Sequence, residues 1–267
     1  MAADVLCGKR VVVTQAVHQA PELCSLLRSR GAESLLYPCI AIEPPMDTAA
    51  LDAALRQAVA GEFDWLVATS ANTVMLLSQR LAALGVSPRS LGRLRIAAVG
   101  PPTAEAVYTH WGLRVALVPE DHVAEGLAAA LLAVLSPGQR VLLPQADAAR
   151  PVMAQQLAAA GVDVTSVVAY RTTIGRGGVD LAGLIARGEV DAILLTSSST
   201  ARNLLARLQA DGGELSLPEG VRIVCLGPIT ADTARELGLP VTAVATTQSL
   251  EGLVEALAHT WKEKESA

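Results

Sequence analysis

An internal repeat constrains this chain more than any other feature. The stretch "RIAAVGPPTAEA" from Arg95 returns as "RIVCLGPITADT" from Arg222, and 222 minus 95 is 127. The same offset of 127 relates "FDWLVATSANTV" from Phe63 to "VDAILLTSSSTA" from Val190. Outside these, "GKRVVVTQAVHQAP" from Gly8 parallels "GQRVLLPQADAARP" from Gly138 at an offset of 130, and "GLRVALV" from Gly112 parallels "GLPVTAV" from Gly238 at 126, as Gly126 parallels Gly252. A period this long exceeds the ~20–50 residues of solenoids and propellers, so a domain-sized module is duplicated. A length of 267 residues then accommodates two ordinary domains.

The residue content is that of a folded protein: 51% is hydrophobic and only 18% charged. Aromatic residues make up 3%, so Val, Leu, Ile and Ala must build the cores. A net charge of −5 and a pI near 5.4 argue against a nucleic-acid partner. Cys7, Cys24, Cys39 and Cys225 are scattered without a C-x-x-C or a histidine at ligand spacing, which is the pattern of reduced thiols rather than a metal site. The segment "MAADVLCGKR" lacks the basic and apolar regions of a signal peptide, and "LAAALLAVL" from Leu127 is too short to span a bilayer. The expectation is a soluble cytoplasmic protein with no membrane contact.

Apolar β-branched runs alternate with helical periodicity along the whole chain. "RVVVT", "SLLYPCIAI", "DWLVAT", "RIAAVG", "RVALVP", "RVLLP", "VTSVVAY", "DAILLT", "RIVCLG" and "VTAVA" read as strands, five per copy, with helices such as "APELCSLLRSRG" and "ANTVMLLSQRLAALG" between them. Continuous apolar strands separated by ~10–15-residue helices imply parallel sheets covered on both faces, an α/β doubly wound architecture. The corresponding segments "SLLYPCIAIEPP" and "SVVAYRTTIG" are longer than a buried strand needs to be. Either they cross between two interleaved domains, or the chain divides simply near Leu135; the residue pattern leaves both divisions open.

In such sheets ligands bind outside the carboxyl ends of the strands. There the sequence places Thr69-Ser70-Ala71-Asn72 and Thr196-Ser197-Ser198-Ser199-Thr200 ahead of one helix in each copy, and Gly100-Pro101-Pro102-Thr103 and Gly227-Pro228-Ile229-Thr230 ahead of the next. These hydroxyls are typical helix caps. Converging helix N-termini also present free N–H groups and partial positive charge, so an acidic protein can hold a polyanion without lysines. The Rossmann and Walker glycine patterns are absent. His18, His110, His122 and His259 share no motif, and Asp64 and Asp191 read as solvated turn residues ahead of equivalent strands. Tyr170, in "VVAYRTT", is one of only three tyrosines.

The duplicated T-S and G-P-x-T loops together with "VVAYRTT" resemble the uroporphyrinogen-III synthase family across residues 8–258. The resemblance implies two flavodoxin-like domains joined by two crossing strands with a cleft between them. Residues 1–37 and 174–267 would then form a discontinuous first domain and 44–167 the second, with connectors at 38–43 and 168–173. It implies a monomeric cytoplasmic lyase with neither metal nor organic cofactor. Its substrate is the linear tetrapyrrole hydroxymethylbilane, which carries eight carboxylates, and transient contact with the preceding pathway enzyme belongs to the same expectation. The reaction closes that chain to uroporphyrinogen III with inversion of the last ring through a spiro intermediate. Tyr170 matches the family tyrosine that assists departure of the hydroxyl. The implied substrate contacts are Thr14, Gln15, Ser70, Ala71, Gly100, Thr103, Gln145, Ser197, Ser198, Gly227, Ile229 and Thr230, with Ile229 standing where the family often has a threonine. The rival readings are a two-domain polyanion-binding protein without catalysis and a catalytically silent relative.

Overall fold

A computed structural model describes residues 4–213 and 220–265. The chain forms two compact units, one built from residues up to Ala41 together with Thr173 onward, the other from Ile42 to Thr172. Each holds one five-stranded sheet.

In the first unit the strands β1 (Arg10–Val13), β2 (Glu33–Leu36), β8 (Ala192–Leu195), β9 (Arg222–Cys225) and β10 (Val241–Val244) lie in the order β10-β9-β8-β1-β2, all parallel. Alternate residues feed separate cores. Val12, Ile193, Leu195, Ile223 and Cys225 pack with α7 (Leu181–Ala186), α8 (Ser198–Ala210) and α9 (Pro228–Glu236). Val11, Val13, Ala192, Leu194 and Val224 pack with α1 (Ala20–Ser29) and α10 (Leu250–Glu265). Both faces are covered, which is why "AILL" in β8 is apolar without interruption.

The second unit orders β3 (Ile40–Glu43), β4 (Trp65–Ala68), β5 (Arg95–Ala98), β6 (Arg140–Ala146) and β7 (Asp163–Ile174) as β3-β7-β6-β4-β5. Leu66, Ala68, Ile96 and Leu142 face α2 (Ala49–Ala60), α3 (Ala71–Ala83) and α4 (Pro101–Trp111). Trp65, Val67, Ala97, Val141 and Leu143 face α5 (Ala124–Leu132) and α6 (Val152–Ala159). Among the described residues no helix is long and apolar enough to cross a membrane.

The repeat maps β1 onto β6, β2 onto β7, β4 onto β8 and β5 onto β9. The sheet orders β2-β1-β8-β9 and β7-β6-β4-β5 are therefore the same order with the copies exchanged. Each sheet takes its leading strand pair from one copy and its remaining repeated strands from the other, an internal swap written into one chain. Mirrored staples pin the exchanged strands. The Asp191 carboxylate accepts from the Arg10 N–H at 2.8 Å, and the Asp64 carboxylate accepts from the Arg140 N–H at 2.7 Å. The turn reading of these aspartates stands, with Asp64 exposed and Asp191 half-buried, and gains a role: their carboxylates mark where β6 and β1 start.

Three further readings change. "SLLYPCIAI" is two strands in different sheets: β2 ends at Leu36, Tyr37 and Cys39 still donate to the Val13 and Thr14 carbonyls across Pro38, and β3 starts at Ile40 in the other sheet. "RVALVP" forms only the isolated bridge Ala97↔Leu117 before Pro119 ends it. The pattern also missed α2 and α7. "AALDAALRQAVA" with Gly61 in the left-handed region at φ 83 carries the helix and its stop for α2. The shared glycines Gly126 and Gly252 are explained by close approach: a Cβ there would lie 2.3 Å from the Asp121 carbonyl and 2.2 Å from the Thr247 carbonyl.

Candidate functional site

Each sheet gathers the expected site residues at its carboxyl edge. In the first unit Thr14 and Gln15 follow β1, Ser197 and Ser198 follow β8, and Gly227, Ile229 and Thr230 follow β9, and these three strands are neighbours. In the second, Ser70 and Ala71 follow β4, Gly100 and Thr103 follow β5, Gln145 lies near the end of β6, and Tyr170 lies in β7, again on adjacent strands.

The caps match across the repeat. Ser70 has φ −163 and ψ 158, and Ser197 has φ −160 and ψ 161; each side chain accepts from the N–H three residues on, Thr73 or Thr200. The glycine caps match as well, at φ −169 for Gly100 and φ −161 for Gly227. A Cβ on Gly100 would come within 3.2 Å of His122, and one on Gly227 within 3.1 Å of Gln248, so the following loop closes over each glycine. The capping role of Ser70 and Ser197 is therefore real, and any ligand role must be shared with it.

The individual side chains differ in what they leave available. The Thr14 hydroxyl is spent on the Leu194 carbonyl at 2.6 Å. Gln15 is 9% exposed and its Oε1 has no hydrogen-bond partner among the described residues. Ser198 Oγ lies 2.8 Å from Thr233 Oγ1, tying the start of α8 to α9. Thr103 and Thr230 are buried, whereas Ile229 is 78% exposed. Ala71 is exposed, Gln145 half-buried. Gln145 and Thr69 line a pocket with Glu125 and Arg150, whose charged groups meet at 2.6 Å.

Tyr170 is held by a distortion that no residue pattern announces. The pairing of β6 with β7 shifts register between Gln145 and Ala146, so Val168 pairs with Gln145 but Tyr170 with Ala146. A bulge re-aims side chains. The successive residues Ala169 and Tyr170 consequently both join the core cluster containing Val74 and Leu77, which plain strand alternation forbids. Tyr170 is 8% exposed, and its Oη lies 3.1 Å from Ser70 Oγ. Thr73, which sequence reasoning missed, completes this group: its Oγ1 is 3.0 Å from Ser70 Oγ. The signal was present, because S-x-x-T occurs as "SANT" from Ser70 and "SSST" from Ser197.

The thiols stand apart from this chemistry. Burial pushes the Cys225 thiol up to about 11 and the Cys39 thiol higher still. Among the described residues no three His, Cys, Asp or Glu side chains are placed to hold a metal ion.

Two predominantly parallel α/β sheets, each with capped helices and glycine turns at its carboxyl edge, define a duplicated doubly wound protein. Residues 21–255 match the family uroporphyrinogen-III synthase HemD. The uroporphyrinogen-III synthase of Synechococcus elongatus is 32% identical over 261 residues, 96% of this chain and 97% of that one. The chain belongs to the uroporphyrinogen-III synthase family. Its fold is that of the solved enzymes from Helicobacter pylori (TM-score 0.62, 18% identity, 94% of this chain and 99% of the other) and, as a mutant, Thermus thermophilus (TM-score 0.58, 22% identity, 96% and 100%).

Proposed function

We propose that this chain converts hydroxymethylbilane to uroporphyrinogen III, the lyase reaction of tetrapyrrole biosynthesis that gives its family its name. Family membership supports the overall reaction, and one observation carries the reading to the residues. The buried Tyr170 is turned out of normal strand alternation so that its hydroxyl meets the T-S loop at the edge where doubly wound sheets bind ligands.

Tyr170 donates a hydrogen bond to the departing hydroxyl of the substrate's hydroxymethyl group. The azafulvene left behind is attacked by the substituted carbon of the last ring, and the resulting spiro intermediate fragments and recloses with that ring inverted. Substrate cyclises unaided to the uninverted isomer, so the enzyme's task is to position the chain for spiro closure. A thousandfold preference needs only about 4 kcal/mol. Acetate and propionate groups are received by N–H groups at Ala71, Ser198, Ile229 and Thr230, each charge-assisted bond contributing about 1.5–3 kcal/mol. Gly100 and Gly227 meet the substrate through backbone, their missing side chains making room for His122 and Gln248, with Thr103 and Thr230 supporting those turns. Gln15 and Gln145 offer acceptors suited to pyrrole N–H groups rather than to carboxylates. Thr14, with its hydroxyl engaged, contributes shape. Residues 38–43 and 168–173 connect the domains, and the chain works as a cytoplasmic monomer that meets the preceding pathway enzyme only transiently.

The test is to incubate the protein with hydroxymethylbilane, oxidise, and separate the porphyrin isomers. Isomer III is expected in large excess over the spontaneous product. Isomer I alone would overturn the reading in favour of binding without catalysis.

A further inference from the structure

We propose that Ser70 is a positioning residue for Tyr170: it donates its hydroxyl proton to the tyrosine oxygen and so leaves the tyrosine's own proton for the substrate. The proposal rests on the assignment of Tyr170 above. It differs from the view of Ser70 as a carboxylate contact.

The assignment of Tyr170 sets a direction. A serine hydroxyl has one proton to give and two lone pairs. Ser70 Oγ accepts from the Thr73 N–H at 3.1 Å and lies 3.0 Å from Thr73 Oγ1 and 3.1 Å from Tyr170 Oη, and in each hydroxyl pair either oxygen can be the donor. With the tyrosine's proton committed to the substrate, its oxygen accepts from Ser70, and Thr73 Oγ1 then donates to the second serine lone pair. Thr73 is fully buried and lies in the first turn of α3, so this arrangement is anchored by the helix itself. Chains of hydrogen bonds polarise one another, and a phenol that accepts a bond is a better donor at its own proton.

The second copy shows that the cap does not require this arrangement. There the hydroxyl of Thr200 accepts from the Ser197 N–H at 3.1 Å and donates to the Ser197 carbonyl at 2.7 Å, a closed capping box. In the first copy the serine is opened toward a tyrosine that a bulge in β7 brings to it. In the step served, the substrate's C–O bond breaks, its electron pair leaves with oxygen as hydroxide, and the pyrrole nitrogen lone pair compensates the carbon. Tyr170 donates a hydrogen bond throughout and keeps its proton.

The experiment compares Ser70→Ala, Ser70→Asp, Ser70→Thr, Tyr170→Phe and the Ser70→Ala/Tyr170→Phe double variant in full-length protein. Ser70→Ala is expected to lower kcat about tenfold with KM unchanged, and to add nothing in the Tyr170→Phe background, since coupled residues are not additive. Ser70→Asp caps α3 equally well but only accepts, drawing the tyrosine proton away; it should keep the wild-type melting temperature and still lose turnover. Ser70→Thr should restore kcat to within about twofold. Equal losses from Ser70→Ala in both backgrounds, a rise in KM alone, or full turnover in Ser70→Asp would each overturn the proposal. The Raman Fermi doublet of the tyrosines, with Tyr170 assigned by its Phe variant, reads the same bond without turnover. Removing Ser70 should move that phenol's doublet away from the pattern of a hydrogen-bond acceptor, and an unchanged doublet would overturn the proposal. Absence of isomer III from the wild type, with the doublet still changed by Ser70→Ala, would instead defeat the assigned reaction and leave the hydrogen bond standing.

Discussion

The loops Thr69–Thr73 and Thr196–Thr200 began as the same loop and now do different work. Their backbones agree to within about 3° at the capping serine, −163 against −160 in φ and 158 against 161 in ψ. The difference lies in where the hydroxyl goes: toward Tyr170 in one copy, into a closed box with Thr200 in the other. The Gly-Pro loops diverge in a complementary sense. Pro101 and Pro102 remove two N–H groups from the start of α4, whereas α9 begins Pro228-Ile229 and keeps the Ile229 N–H. Duplication supplied two equivalent frames, and small changes have given the first a linked group of hydroxyls and the second the better-supplied backbone donors.

The largest effect should come from breaking the first copy's speciality. Tyr170→Phe removes the donor while keeping the ring in its cluster, and hydrogen-bond assistance of this kind is worth about a hundredfold or more. Turnover to isomer III should fall by about that factor, with the melting curve nearly unchanged. Wild-type turnover in the variant would show that the two T-S loops are functionally alike.

The next prediction concerns what the copies still share. Gly126→Ala and Gly252→Ala each force a methyl to within 2.3 or 2.2 Å of a backbone carbonyl, that of Asp121 or Thr247. Alanine is the better helix former by about 1 kcal/mol, yet overpacking against backbone costs about 1–3 kcal/mol, so the clash should win. Urea unfolding should register similar losses at both positions. A stabilised variant at either would mean that the equivalence of these turns is only apparent.

A smaller change would make the second copy resemble the first. Ile229→Pro deletes one N–H in the first turn of α9, where proline is compatible with the helix. One lost charge-assisted bond predicts a KM increase of about tenfold with little loss of stability. An unchanged KM would place the carboxylate contacts elsewhere.

The sequence made the alternation of strand and helix legible because parallel strands buried on both faces leave unbroken apolar runs, as in "AILL" and "WLVA". The caps were legible because Ser at an N-cap and Gly-Pro at a helix start have local causes. The swap of leading strands was one of two divisions the residue pattern left open and was favoured only by the family resemblance, since local periodicity cannot say which strand a strand will pair with. The bulge at Tyr170 was not legible, being a mismatch between two strands that neither contains alone. The missed α2 is a different failure: its helical spacing and terminal glycine were there to be read. The acceptor role of the turn residues Asp64 and Asp191 was not legible, because it serves backbone N–H groups 76 and 181 residues away.

The smallest effect should separate the equivalent arginines Arg80 and Arg207, again 127 apart. Arg207 is 6% exposed, lies 3.7 Å over the Tyr37 ring, and donates to the carbonyls of Pro38 and Gly177, which do not titrate. Arg80 instead pairs with Asp52, whose carboxyl it holds below the ordinary carboxylate value through hydrogen bonding, opposed by burial and aided by Arg56. A carboxyl depressed in the folded state contributes stability above its unfolded value, near pH ~3.9, and loses that contribution as the pH falls through the folded value. The melting temperature of the wild type should therefore exceed that of Asp52→Asn at neutral pH, and the gap should close on acidification below about pH 4. The gap between wild type and Arg207→Met should narrow less over the same range, since Arg207 holds two carbonyls and a ring besides its half-exposed ion pair with Asp211 at 3.5 Å. A wild-type to Asp52→Asn gap that persists to pH ~2.5 would mean that packing, and not the ion pair, separates these variants.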